Sequence, residues 1–321
     1  MLRGPMTARD VTPAERRTGA LLVIAAATLW STGGVGVKVA VAEPLVIAGL
    51  RSVFALMFMA VALTVGLRRG GAGGAVVLTL LRRPLVWAAA ASYALMVVCF
   101  VLAARRTTAA NAIFIQYTGP IYVALLGGPL LGERVTRRDL IAVAGCVIGM
   151  ALTFGGELGG GRAAGNVLAI FSSFGFAGLP LLLRLDQKRL FAKTDDASAH
   201  LRAAAGHAPL VAMTLGNALA ALVALPAMIA HPVSGETATR TYLVLAALGA
   251  FQIGLPYVLY AVAVRRLRAL ESSLLATIEP VLSPVWVVLA TGEVPSPLAI
   301  AGGAMIVIAV AAQGIAAARR A

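Results

Sequence analysis

Ionisable side chains inside long apolar stretches are the residues of this sequence that are the clearest candidates for a chemical role. Glu279 lies about midway along one such stretch and directly precedes Pro280. Proline lacks a backbone donor, so it frees a carbonyl group and kinks or breaks a helix at that point. A carboxylate at such a break can exchange a proton, meet a substrate amine, or pair with a buried cation. The sequence leaves these roles open.

Arg51 is the second charged candidate, because it lies about two helical turns into another apolar stretch. A charged side chain in hydrocarbon costs about 2.5–3.5 kcal/mol on insertion scales, so each one is a candidate functional group. Arg51 could bind a substrate carboxylate through two parallel hydrogen bonds. From the same depth its side chain could instead reach the outer lipid headgroups, and the sequence leaves both roles open.

Polar and aromatic residues accompany these charges inside the apolar stretches. Tyrosines at mid-membrane depth do not belong to the aromatic belt at the headgroups, so we expect a cavity lining. Hydrogen bonding between helices, or core filling for the two tryptophans, is the alternative. The further candidates for substrate binding or coupling are Asn111, Gln116, Tyr117, Tyr93, Gln252, Tyr257, Trp30 and Trp286. Pro120 joins Pro280 as a predicted helix break.

The sequence carries no pattern that is typical of an enzyme, a metal site or a cofactor site. All three His residues fall in predicted loops, and no His, Asp and Glu residues cluster at ligand spacing. Cys99 and Cys146 lie in apolar stretches and form no CxxC pair. No disulfide framework and no metal site are therefore expected. We predict a protein that is not an enzyme and needs no cofactor.

The elements that hold the candidate residues must be membrane helices. Of 321 residues, 60% are hydrophobic and only 12% are charged, whereas a soluble domain carries roughly 25% charged residues. The apolar runs are continuous and long enough for about ten crossings of about 20 residues each. The predicted spans are about 19–41, 44–67, 84–104, 107–131, 140–154, 163–185, 208–229, 242–264, 269–291 and 298–318.

Basic residues predict how these spans are oriented. With the N-terminus inside, 21 of the 27 Lys and Arg residues fall in inner segments and four in outer loops. This asymmetry predicts that both termini are cytoplasmic, and it explains the net charge of +14 without a nucleic-acid partner. The first apolar run exceeds the core of a signal peptide, so we expect a retained helix after a tail of residues 1–18.

The two halves of the chain echo one another at an offset of 160 residues. The matched positions are Arg105-Arg106 with Arg265-Arg266, Pro120 with Pro280, and Gly132-Glu133 with Gly292-Glu293. We therefore predict two five-helix repeats, residues 19–155 and 163–318, with a cytoplasmic loop over 186–207. Because five crossings is an odd number, the second repeat must be inverted relative to the first. Inverted repeats are typical of secondary transporters, whose substrate site lies at the midplane.

These motifs resemble the EamA-type transporters of the drug/metabolite transporter superfamily. The resemblance is carried by Glu279-Pro280, Gly292-Glu293 a dozen residues later, Gly302-Gly303 in the last span, the degenerate Gly119-Pro120 with Gly132-Glu133 in the first half, and Trp30-Ser31 followed by Lys38. It covers nearly the whole chain, although Gly119 stands where the first-half Glu is expected. The resemblance implies export of small metabolites or amino acids, often coupled to an ion gradient.

We therefore predict an all-α, ten-helix secondary transporter in the inner membrane of a bacterium. It would export an amino acid or a related amphipathic solute by alternating access, with protons as the candidate coupling ion. The expected partners are the solute and the lipid bilayer, and the sequence does not indicate an oligomeric state. A passive channel would also fit the polar spans. A non-transporting scaffold would be indicated if the buried polar groups were all mutually paired.

Overall fold

A computed structural model of the protein describes residues 11–33, 40–70, 73–107, 109–133, 135–154, 163–192, 199–291 and 297–318. Regular structure in these ranges is entirely helical. The elements are α1 (Pro13–Ser31), α2 (Pro44–Arg69), α3 (Gly74–Leu81), α4 (Pro84–Arg106), α5 (Ala109–Gln116), α6 (Gly119–Leu131), α7 (Arg137–Phe154), α8 (Ala163–Ala192), α9 (Ala199–Ala230), α10 (Ala238–Ala247), a π-helical segment (Leu248–Gly254), α11 (Leu255–Ala263), α12 (Ala269–Ala276), α13 (Ile278–Thr291) and α14 (Pro297–Ala318). Lys38 and Gly292-Glu293 lie outside the described residues.

Six helices in the described part of the chain are long and apolar enough to cross a membrane, judged by length and composition. They are Pro44–Arg69, Pro84–Arg106, Ala112–Leu131, Ala163–Leu190, Ala203–Ala230 and Ala238–Ala263. A shorter apolar helix covers Ile300–Gln313. Large apolar side chains such as Ile141, Ile229 and Leu289 are at least 70% exposed on the outer faces. Such a surface suits lipid rather than water.

The first helix begins earlier than the apolar pattern predicts. Pro13 opens α1, and Thr12 and Glu15 close a reciprocal capping box before it. The Glu15 amide donates to the Thr12 hydroxyl (3.2 Å), and the Thr12 amide donates to the Glu15 carboxylate (2.9 Å). These bonds satisfy backbone donors that the helix start leaves unpaired. Capping therefore extends the helix into the predicted polar tail.

Helices also extend into the segment predicted as a loop over residues 186–207. α8 continues to Ala192 and α9 begins at Ala199, and residues 193–198 lie outside the described part. Polar residues in this extension bind neighbouring helices. Asp186 pairs with Arg83, which directly precedes α4 (2.7 Å), and Lys188 donates to the carbonyl oxygen of Leu131 (3.0 Å). Hydropathy marks where apolar residues end, but these contacts keep the backbone helical further on.

Close packing of α4 on α8 forms one side of the molecule. A Cβ atom at Gly175 would lie 2.5 Å from the carbonyl oxygen of Ser92, and one at Gly165 would lie 2.6 Å from the backbone of Arg106. The pair stays in contact as far as Arg83 and Asp186, so the two helices pack over their whole length. Elsewhere α2 packs on α9, α7 on α14, and α1 on α11.

Two helices are interrupted in mid-course. One breaks between α5 and α6 at Tyr117 and Thr118, and the other breaks between α12 and α13 at Thr277. Pro120 lies in the first turn of α6 and cannot donate to the carbonyl of Gln116, which instead accepts a hydrogen bond from Ser173 Oγ (3.0 Å). Proline and a neighbouring hydroxyl thus make an interruption tolerable inside the bundle.

The packing of α4 on α8 leads to a stability prediction. We expect Gly175→Ala to destabilise the protein by about 1–3 kcal/mol, because its Cβ would overlap backbone atoms of α4. Gly127→Ala in α6 is the matched control, since no atom lies within 4 Å of its Cβ position. That change should leave stability unchanged or raise it by up to about 1 kcal/mol. Thermal unfolding in detergent measures both, and equal melting temperatures for the two variants would contradict the packing.

Candidate functional site

The two helix breaks meet through one hydrogen bond. Glu279 lies in the first turn of α13, directly after the second break. The hydroxyl of Tyr117, at the first break, donates to Glu279 Oε2 (2.5 Å). A hydrogen bond to a carboxylate is stronger than one between neutral groups. The carboxylate is therefore held between an early and a late helix of the chain.

A cluster of aromatic rings lies beside this bond. Tyr257 of α11 is at its centre, with ring centroids 4.7 Å from Tyr93 in an edge-to-face arrangement and 4.8 Å from Trp30. Tyr260 adds a fourth ring, 5.7 Å from Trp30. Rings at these distances and angles attract one another beyond their apolar burial. Three of the sequence candidates, from α1, α4 and α11, are thus brought together.

Arg51 belongs to the same group. Only 7% of the residue is exposed, and its charge interacts with Tyr93, Tyr257 and Glu279. Among the described residues, it forms no ion pair within 4.0 Å, and its Nε atom has no hydrogen-bond partner. A buried guanidinium that lacks close anionic contact gains from binding an anion.

The π-helical segment positions both Arg51 and Gln252. A Cβ atom at Gly249 would lie 2.6 Å from the carbonyl oxygen of Arg51, so only glycine allows this approach to α2. Gln252 donates through Nε2 to the carbonyl oxygen of Trp30 (3.1 Å). Its Oε1 atom and the Nε1 atom of Trp30 are buried without partners in the described structure. π-Helical turns occur frequently at functional sites.

Three sequence candidates do not join this group. Gln116 faces α8, where Ser172 Oγ donates to its Oε1 atom (2.8 Å). Trp286 donates to Ser31 Oγ (2.7 Å) and so ties α13 to α1. The side chain of Asn111 lies outside the described part of the structure. The bonds of Gln116 and Trp286 hold helices together.

Other residues at the site were not predicted from the sequence. Asn217 of α9 donates through Nδ2 to the hydroxyl of Tyr93 (3.1 Å) and to the carbonyl oxygen of Met213 (3.0 Å). A lone Asn within an apolar stretch was the available signal. Phe176 packs on Tyr117, with ring centroids 5.2 Å apart. It also lies where a side chain at residue 119 would go, since a Cβ at Gly119 would be 2.5 Å from its ring.

The fold and these contacts define a polytopic helical membrane protein with charged and aromatic groups buried among its helices, the class that moves small solutes across membranes. The sequence matches the model of the EamA-like transporter family over residues 17–155 and 200–312, and the chain belongs to that family. Family membership confirms the resemblance predicted from the motifs and means a membrane transporter of the drug/metabolite type.

Structural similarity extends over nearly the whole chain. One crystal structure of a protein aligns with a TM-score of 0.67 and 22% sequence identity, covering 93% of this chain and 98% of that chain. At this identity the likeness shows the fold alone. No curated protein matches the sequence.

The bond between Tyr117 and Glu279 leads to a second prediction. Tyr117→Phe should lower stability by about 1–3 kcal/mol, because it leaves a partly buried carboxylate oxygen without its donor. Tyr122→Phe is the control, since the ring contact of Tyr122 with Phe174 (4.7 Å) does not use the hydroxyl. Thermal unfolding of each variant in the wild-type and Glu279→Gln backgrounds forms a double-mutant cycle. Additive effects of Tyr117→Phe and Glu279→Gln would show that this bond contributes nothing.

Proposed function

We propose that this protein is a secondary transporter that exports an amino acid or a related amphipathic solute by alternating access. One observation carries the proposal: a buried cation, Arg51, and a partly buried anion, Glu279, lie beside a cluster of aromatic rings at the point where two broken helices meet. Buried charges without a close mutual ion pair are expensive, and a zwitterionic solute would neutralise both. Aromatic rings beside them would take its apolar part.

The chemistry of the unpartnered atoms supports such a solute. Arg51 Nε and Trp30 Nε1 are donors that could bind a carboxylate, and Gln252 Oε1 is an acceptor. Glu279 would face the amine. Each of these three unpartnered groups belongs to a residue that is at least 92% buried. Polar groups buried to this degree are normally hydrogen-bonded, so a polar ligand is the natural partner.

The proposed architecture has ten crossings. They are α1, α2, α4, α5 with α6, α7, α8, α9, α10 through α11, α12 with α13, and α14. Residues 19–155 and 163–318 would be inverted repeats, with both termini in the cytoplasm and the protein in a bacterial inner membrane. The balance of basic residues supports the orientation.

Helix packing supports the repeat. When each helix is exchanged for its counterpart in the other half, the contact of α1 with α11 becomes that of α8 with α4. The contacts of α5 and α6 with α8 become those of α12 and α13 with α1. The pairs α2 with α9 and α7 with α14 map onto themselves. The two breaks, at Tyr117 and Thr277, also lie 160 residues apart.

Glu279 is the proposed coupling group. A carboxylate at a helix break, which binds either a proton or the amine of the solute, would link solute release to proton entry. The first half supplies no equivalent, because Phe176 leaves no room for a side chain at Gly119. We therefore propose that one carboxylate per protein takes part.

Counterflow in proteoliposomes tests the transport activity. Vesicles loaded with unlabelled solute are diluted into trace labelled solute, using a panel of amino acids and small metabolites. We expect saturable transient accumulation of at least one zwitterionic solute, because a carrier exchanges solute through a single site. Accumulation of no solute would contradict a carrier and favour the channel or scaffold alternatives. Empty liposomes and heat-inactivated protein are the controls.

Glu279→Gln separates the roles of this residue. We expect loss of uptake driven by a pH gradient, on the order of tenfold or more, with the protein still folded. Retained counterflow would then identify Glu279 as the coupling group, whereas loss of counterflow as well would identify it as a solute ligand. Full activity in both assays would remove it from the mechanism. Glu236→Gln, at an exposed position between α9 and α10, is the matched control.

A further inference from the structure

Ion pairs are gathered at the end of the bundle that the basic residues mark as cytoplasmic. We call them the inner cluster, and its members are Arg16, Glu133, Asp139, Arg184, Arg268 and Glu271. Their side chains are at most 16% exposed. Partly buried pairs of this kind are screened less than surface pairs.

Arg268 contacts two carboxylates of the inner cluster. It directly precedes α12, and its Nε atom lies 3.7 Å from Glu133 at the end of α6. Its Nη1 atom lies 3.5 Å from Asp139 at the start of α7. One guanidinium from the second half thus contacts two carboxylates from the first half. The backbone amide of Arg268 also donates to Glu271 (3.2 Å), which fixes the start of α12.

The other pairs join helices that are already in side-by-side contact. Arg184 binds Glu133 (3.5 Å) between α8 and α6. Arg16 binds Glu271 (3.0 Å) between α1 and α12. Arg268 likewise links two helices that pack against each other, but these are the inner halves of the two broken helices, α6 and α12, just inside the Tyr117–Glu279 bond. These two half-helices must part if a solute is to reach Glu279 from the cytoplasm.

Asp139 is charged in this arrangement. It precedes the apolar part of α7, and burial alone would raise its pKa. Hydrogen bonds from Thr136 and the charge of Arg268 hold the pKa of Asp139 below its ordinary value, and Gln313 adds a further hydrogen bond (3.4 Å). Arg268 therefore faces the charged carboxylate of Asp139 in addition to contacting Glu133.

We propose that Arg268 holds the inner end of the transport path closed by binding Glu133 and Asp139, and that it leaves them when the path opens to the cytoplasm. The role of Arg268 in the transport cycle rests on the proposed transport function. The contacts that Arg268 makes with Glu133 and Asp139 do not depend on that function. Both side chains of the Arg268–Glu133 pair keep 12–13% exposure, so water can replace each partner when they separate.

Thiol accessibility tests the proposal without a substrate. Ser273 lies in α12 five residues beyond Arg268, is 1% exposed, and its hydroxyl has no partner in the described structure. The reporter is Ser273→Cys with Cys99→Ser and Cys146→Ser, reconstituted in vesicles. A membrane-impermeant maleimide is added separately to each side, and the labelling rate is measured.

Arg268→Gln should raise labelling from the cytoplasmic side severalfold and leave labelling from the other side unchanged. Arg83→Gln is the matched control, because it removes an arginine from an ion pair at the same end (Arg83–Asp186, 2.7 Å). That pair joins α4 and α8, which pack over their whole length, so labelling should stay at the parent rate.

Further variants distinguish the proposed effect from a general loss of folding. Glu133→Gln should raise labelling in the same direction, and Glu133→Gln with Arg268→Gln should label less than the two separate effects combined predict. A labelling rate unchanged in Arg268→Gln would overturn the proposal. So would an equal rise in Arg83→Gln, because it would indicate general loosening. If labelling changes as proposed but the protein shows no counterflow, the transport function is contradicted. The proposal that Arg268 closes the inner end is then still supported.

Discussion

Burial of charge away from water is the constraint on which the rest of this structure depends. Arg51 and Glu279 each cost free energy in an apolar surrounding, and neither is neutralised by a close ion pair with the other. The neighbouring residues offset this cost in part. Tyr117 donates to the carboxylate, and the guanidinium interacts electrostatically with Tyr93 and Tyr257. In the proposed function, the polar atoms that stay without a partner, such as Arg51 Nε, would bind the solute.

Helix breaks follow from the same constraint. A continuous helix satisfies its own backbone and presents only side chains, so it offers few polar groups at depth. Pro120 and Pro280 interrupt two helices, and hydroxyl groups such as Ser173 Oγ bind the carbonyls that are released. The interruptions place Tyr117 and Glu279 at helix ends, where they meet. The short segments that interrupt the helices therefore also supply the polar side chains of the candidate site.

Much of the fold could be predicted from hydropathy and proline positions. The six long apolar helices coincide with predicted spans, because burial in lipid requires an unbroken apolar run. Helix ends were less predictable, since the extensions of α1 and α8 depend on capping and on a pair such as Arg83–Asp186. Amino-acid composition does not indicate which distant residue completes a polar contact.

The types of the residues at the candidate site could be predicted from the sequence, but the directions in which their side chains point could not. Burial of a polar side chain is visible in the sequence, yet its rotation about the helix axis is set by packing. Tyr93 and Tyr257 face Arg51, whereas Gln116, next to Tyr117 in sequence, faces Ser172. Arg268 was missed for a related reason: a basic residue in a short loop is typical of cytoplasmic loops, and only the folded chain brings Glu133 and Asp139 to it.

The proposed repetition of the fold would not make the site symmetric. Gly119 and Glu279 hold matching places after the two breaks, but Phe176 fills the space beside Gly119. The first half thus contributes a hydroxyl donor, Tyr117, and the second half contributes the carboxylate that accepts from it. Two carboxylates placed close together would repel each other and would not both stay charged. A donor on one side and an acceptor on the other let the two halves bind each other at the site, and the proposed function would use the same carboxylate for a proton or the solute.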